Sequence, residues 1–224
     1  LRVGYRFQRH WDNSRAYAFF CAELGAGLFF VSLLLDNVPG MILGLIPVAT
    51  GKPYFHLSHM GVPARSWRAA LRPDRSWISR GLLGLSALIA SGALLVLCLL
   101  FGESLGVAPD SAIVTLLKLL AGLFALLTMT YQGFAMSHSS AIAIWNSAIL
   151  PLASFLYSLT TGVAVLQLLP GAGATADLTN ALSLLLLALG VMHLMLLHAG
   201  WHGSPGARTS VELLLQTLYA KWFW

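Results

Sequence analysis

Charge is what this chain has least of. Only 9% of its 224 residues are Asp, Glu, Lys or Arg, against roughly 25% in soluble domains. Hydrophobic residues make up 58% and the mean hydropathy is +0.78, so a water-soluble fold could not hide the apolar surface. Cysteine is nearly absent. Cys21 and Cys98 both lie inside apolar stretches, which argues against a disulfide framework, an iron–sulfur cluster or a zinc site in this chain, so that any such group is expected in a partner. No internal repeat or low-complexity segment is found, and no cleavable signal peptide is apparent. Because the chain starts without Met and stops at Lys221-Trp222-Phe223-Trp224, further residues are expected at either or both ends.

What is present is a succession of apolar stretches of about 20 residues, the length that crosses a bilayer at a 1.5 Å rise. The expected fold is all-α: a polytopic transmembrane helical bundle of about six to seven spans, forming a single integral membrane domain over residues 1–224. The spans are placed at about Ala16–Leu35, Val38–His59, Gly81–Phe101, Ser111–Met136, Asn146–Leu169 and Leu178–His198, with a seventh starting near Val211. Pro39, Gly40, Pro47, Gly51, Lys52 and Pro53 interrupt the second. Such breaks survive at membrane depth only where protein or water satisfies the freed backbone groups, so this span is expected to be buried in the bundle.

The net charge of +5 would suggest nucleic acid in a soluble protein, but here the basic residues lie in short loops and set topology. Arg2, Arg6, Arg9 and Arg15 precede the first span, Arg65, Arg68, Arg72, Arg75 and Arg80 precede the third, and Arg208 follows the sixth. Asp36, Glu103, Asp110 and Asp177 fall on the opposite side, with no Lys or Arg in those loops. The positive-inside rule makes the arginine-rich face cytoplasmic.

Ionisable groups inside a membrane are costly and are functional candidates by default, with helix–helix contact as the alternative. They are few: Glu23, Lys52, His56, His59, Lys118, His193 and His198. Lys52, His56 and His59 stand at i, i+4 and i+7, so on a helix they line one face and can meet one ligand or one water chain. Alternatively, Lys52 snorkels to the interface while the histidines bind neighbouring carbonyls. Tyr131 and His138 are also i, i+7. A phenol and an imidazole there could grip the carbonyls of a quinone head group, one donating a hydrogen bond and the other relaying a proton. Haem is a competing use of membrane histidines: His193 or His198 against His56 or His59 could supply an axial pair. Glu23 and Lys118 extend a proton path or pair with each other. A small transporter with its substrate site at the broken second span is a third reading, against which the lack of an inverted repeat counts.

The stretch His56-Leu-Ser-His-Met-Gly-Val-Pro-Ala-Arg-Ser-Trp-Arg68, a following Pro73 and Ser76-Trp-Ile-Ser-Arg-Gly81 resembles the NrfD/polysulfide reductase-type membrane anchor subunits. Thr130-Tyr-Gln-Gly133 and Ile144-Trp-Asn-Ser-Ala-Ile-Leu-Pro151 are similar to that family's fourth-helix end and fifth-helix start, and the likeness spans about residues 16–170. The resemblance implies a prokaryotic cytoplasmic (inner) membrane protein without haem. It would anchor a molybdopterin catalytic subunit and a four-cluster ferredoxin-like iron–sulfur subunit, and exchange electrons with a quinone, menaquinone or ubiquinone. It implies a quinone-binding role for Tyr131, joined by His138 and His59. Asn13, Arg15 and Tyr17 stand in for first-helix contacts that do not carry over, and family members commonly have more helices than are seen here. Lys52, His56, Glu23 and Lys118 are the expected proton path. Arg65, Arg68, Trp67, Arg72, Arg75, Trp77 and Arg80 suit partner docking through a polar, aromatic-anchored interface, or the binding of anionic membrane lipid. No metal ligand and no nucleic acid partner are expected. With the arginine face cytoplasmic, a cysteine placed at Ala69 should resist an impermeant thiol reagent in intact cells; labelling there overturns the orientation.

Overall fold

The computed structural model describes residues 13–58, 60–139, 142–169, 175–217 and 219–223. Among them the secondary structure is entirely helical. The helices are α1 (Asn13–Leu34), α2 (Val38–Ile46), α3 (Lys52–Ser58), α4 (Trp77–Leu105), α5 (Ala112–Ser137), α6 (Leu150–Leu166), α7 (Ala176–Trp201), α8 (Pro205–Gln216) and α9 (Ala220–Phe223). Short polar side chains start them where the apolar runs begin. Ser76, Ser111 and Thr175 accept the backbone N–H of Ser79, Val114 and Leu178 at the heads of α4, α5 and α7, satisfying donors that have no partner within the helix. Gly106, at φ 68°, ends α4 in the left-handed region, where a Cβ would be strained.

Four helices, α1, α4, α5 and α7, are long and apolar enough to cross a membrane. The other expected spans differ in detail. Over 38–58 the chain is helical throughout, but it is divided by a π-helical turn, Pro47–Gly51, between α2 and α3. Proline has no N–H to give and crowds the preceding turn, and here the helix widens: the Lys52 N–H reaches back to the Pro47 carbonyl, five residues away. This span is not buried all round. Gly40, Met41, Gly44, Val48 and Lys52 face the bundle, while Ile42, Leu43 and Ile46 are exposed on the other side. The fifth stretch is helical only over the 17 residues of α6, because a 3-10 turn at Ala143–Trp145 and Pro151 in the first turn delay its start. Val211, where a seventh span was expected, lies within α8, a 12-residue helix too short for the role.

α1 is the axis of the bundle. It packs against α2, α3, α5 and α6, and 56% of its apolar window is buried, against 11% for α7. α4 and α5 form an antiparallel hairpin whose Leu85, Leu88, Leu95, Ala121, Ala125 and Met129 build the main core with Ala26, Phe29 and Met41. Small residues bring backbones together where lipid offers no hydrophobic drive between helices. At Gly27, an added Cβ would collide with the carbonyl of Ser158 on α6, and the Gly162 Cβ would collide with Gly27 in return. Gly27→Ala should therefore cost about 2 kcal/mol of stability, whereas Gly190→Ala, whose Cβ meets nothing within 4 Å, should change it little; denaturation of both in detergent micelles checks the contrast.

Candidate functional site

The π turn matters because of the residue that follows it. Lys52 opens α3 on the bundle-facing stripe and is 4% exposed, too deep to snorkel. Its Nζ donates to Gln132 Oε1 at 3.0 Å, and the ammonium lies over the rings of Phe19 and Tyr131, 4.7 and 5.5 Å from their centroids. Gln132 is fully buried, and its Nε2 donates to the Phe19 carbonyl at 3.3 Å. One amide thus ties α5 to α1 while orienting the lysine of α3. Glu23 lies further along α1, accepts from Ser154 Oγ of α6 at 2.7 Å, and is within electrostatic reach of Lys52. Low dielectric strengthens that attraction.

Tyr131 is buried with its ring laid on Gly81 of α4, where any Cβ would occupy the ring's space. Its hydroxyl makes no hydrogen bond with the described residues. The lysine too has capacity to spare: an ammonium carries three N–H donors, and Gln132 is the sole hydrogen-bond partner among the described residues. Two buried side chains that lie against each other thus both hold donors that no described residue uses.

Around this cluster the other expected residues disperse. His56 is exposed although it shares a face with Lys52, because the cover of the bundle ends one turn further along α3. His59 lies outside the described residues. His138 is exposed at the end of α5, its Nδ1 on the Phe134 carbonyl at 2.9 Å, two turns or about 10 Å from Tyr131; the two do not meet on one small group. Asn13 and Tyr17 are exposed at the head of α1, and Arg15 is half-buried; Tyr17 packs on Phe55 at 5.3 Å. Lys118 does not pair with Glu23. It binds Asp36 at 2.5 Å at the far end of α5, about 20 Å along the helix from Gln132, so it is no neighbour of the Lys52 cluster.

The arginine-rich segment folds over the same end. A 3-10 helix, Pro63–Leu71, exposes Arg65, Trp67 and Arg68; Arg68 lies over the Trp67 ring at 5.7 Å. Arg72 and Arg75 are exposed, Arg75 beside Asp74 at 3.2 Å. Arg80 is internally engaged: it donates to the carbonyls of Pro73 and Asp74 at 2.7 and 3.1 Å and stacks on Trp77 at 4.5 Å. Trp77 in turn stacks on Phe134 at 4.2 Å, and Ser79 donates to the Ala69 carbonyl. The loop is thereby fastened to α4 and α5.

His193, a haem-ligand candidate, has both ring nitrogens engaged, with the Tyr157 hydroxyl on α6 and the Leu189 carbonyl at 2.7 Å. The His198 ring lies 4.5 Å from that of His202, tilted by 53°. α7 packs chiefly on α6 and α8, whereas α3 packs chiefly on α1, so the structure does not bring His56 against the α7 histidines; His59 lies outside the described residues. Among the described residues no group of three or more His, Cys, Asp or Glu could hold a metal ion. Phe19, Gln132 and Ser154 had not been singled out from the sequence; Gln132, a primary amide inside an apolar helix, carried the signal.

No family model, curated protein or solved structure matches the chain.

If Gln132 compensates a buried charge, Gln132→Leu should destabilise by about 2–3 kcal/mol. Lys52→Met combined with Gln132→Leu and Glu23→Gln, which removes the charge together with the groups that compensate it, should cost less than about 1 kcal/mol. Chemical unfolding of both variants in micelles measures this, and equal costs would sink the assignment.

Proposed function

We propose that the chain is a quinone-binding membrane anchor subunit of the NrfD/polysulfide reductase type. It passes electrons between a ferredoxin-like iron–sulfur subunit, served by a molybdopterin subunit, and the quinone pool of a prokaryotic inner membrane. The observation that supports this reading is the adjacent pair of buried donors on Lys52 and Tyr131, which no described residue fully engages, at the end of the bundle that carries the arginine-rich loop. A quinone presents two carbonyl oxygens, acceptors for which a phenol and an ammonium are suitable donors. When bound, it supplies the two-electron, two-proton couple.

The chain's own residues then have separable tasks. Tyr131 and Lys52 donate hydrogen bonds to the head-group oxygens, which strengthen as negative charge grows there. Gln132 holds Lys52 in place. His138 and His56, exposed at the rim, and His59 exchange protons with the aqueous side, and Glu23 balances the charge of Lys52 from within. Arg65, Arg68, Arg72 and Arg75 with Trp67 offer the partner a basic, aromatic surface, while Arg80 and Trp77 brace it from below. Lys118 has no part in this path, since it is engaged at the opposite end. In this reading the 38–58 helix, with its π turn, and α6 join the four long apolar helices to make a six-span bundle.

Tyr131→Phe removes the hydroxyl alone. It should lower quinone-linked turnover by roughly tenfold to a hundredfold while the iron–sulfur and molybdopterin subunits still co-purify with the chain. Undiminished turnover would remove Tyr131 from the site, and failure of those subunits to co-purify with the wild-type chain would overturn the anchor assignment.

A further inference from the structure

Along the second span, Gly40, Gly44, Val48 and Lys52 face the bundle at steps of four residues. In an uninterrupted α-helix each such step overshoots a full circle by about 40°, so three steps would carry Lys52 about 120° away from Gly40. Gly51 would stand in line instead. A π turn joins residue i+5 back to residue i and so holds one residue more than an α turn. That excess sets back everything after it by about 100°. The Pro47–Gly51 turn, closed by the Lys52 N–H on the Pro47 carbonyl, thus returns Lys52 to within about 20° of the stripe.

Sequence and packing both hold the turn wide. Pro47 opens it, and Pro53 follows Lys52 directly. In an α-helix the residue at 53 would give its N–H to the carbonyl of Ala49, inside the turn; proline has none to give, and its ring crowds that carbonyl. Against α1 the turn lies on two small residues one helical turn apart. A Cβ on Gly51 would come 2.7 Å from Cys21 Sγ, and one on Gly25 would come 2.8 Å from Pro47 Cγ and 2.6 Å from Val48 Cγ2. On the outer side Ala49 and Thr50 are exposed, and Thr50 Oγ1 donates to the Ile46 carbonyl at 2.7 Å.

We propose that the π turn is the positioning element of the Lys52 cluster: a one-residue offset, held by Pro47, Pro53 and the seat of Gly51 on Cys21, that aims the ammonium at Gln132 and Tyr131. Without the offset Lys52 points where Pro53 points now, at the half-buried flank of α3, and Gln132 loses its charged partner. The assignment concerns the direction of Lys52 and holds whatever the lysine binds, so it stands apart from the quinone reading.

Acetylation of the full chain in native membranes by acetic anhydride, read at Lys52 by mass spectrometry with the exposed Lys221 as reference, tests it. The wild type should protect Lys52, which is 4% exposed. Pro47→Ala combined with Pro53→Ala lets the segment close as an α-helix, since alanine favours helix far more than proline does. Lys52 labelling should then rise about threefold or more, as the side chain turns to the flank and reaches toward the head-group layer. Deleting Thr50 in that double variant removes the residue in excess, turns Lys52 back by about 100° and should restore wild-type protection. A general loosening of the bundle would not be repaired by a deletion. Protection unchanged in the double variant, or labelling that stays high after the deletion, would overturn the proposal.

Discussion

Withdrawing the Lys52 ammonium from water costs several kcal/mol unless neighbouring groups compensate it, and much of the bundle's arrangement answers that cost. Gln132 supplies the hydrogen-bond acceptor, Phe19 and Tyr131 supply ring faces, and Glu23 supplies opposite charge. These groups come from α5 and α1, so the cation joins three helices that are distant in sequence. The π turn that follows Pro47 precedes Lys52 directly, and the bundle-facing stripe of the second span ends on it. An apolar side chain of similar volume would pack there without such compensation. A charge stands there instead, and an ionisable group at that depth is a functional candidate by default.

The remaining charged groups divide by task. Lys118 and Asp36 pair across the opposite end, where they hold the turn between α1 and α2 against α5. Arg80 is spent on two carbonyls and an indole ring, so it fastens the loop rather than presenting it. Within this loop, the arginines left to face outward are Arg65, Arg68, Arg72 and Arg75. An arginine-rich loop is thus two things in one stretch: a staple at its end and an exposed basic surface before it.

Much of this was legible in the sequence. The apolar runs at 16–35, 81–101, 111–136 and 178–198 became helices close to their expected bounds, because span length and the polar caps Ser76, Ser111 and Thr175 are local properties. Lys52, Glu23 and Tyr131 stood out as costly or polar groups at membrane depth. Their partners did not. Gln132 and Ser154 are 80 and 131 residues from the groups they bind, and no local pattern encodes such a meeting. The i, i+7 pairing of Tyr131 with His138 was a correct statement about a helix face, but the face runs from buried to exposed along its length. Spacing reports direction around an axis, not depth along it. For the same reason Lys118 looked like a partner for Glu23 until the antiparallel packing of α1 and α5 separated them.

The near-contact of Gly27 with Ser158 has a consequence for how the protein is made. The central helix emerges from the ribosome before the other helices it packs against, yet one of its closest neighbours, α6, is synthesised more than a hundred residues later. The α4–α5 hairpin can close as soon as its second strand of chain is inserted, since its contacts are local. α1 must meanwhile wait in the bilayer with its glycine surface uncovered. Assembly order is thus not chain order: the α4–α5 hairpin closes first, and the α1 axis is sealed only when α6 arrives.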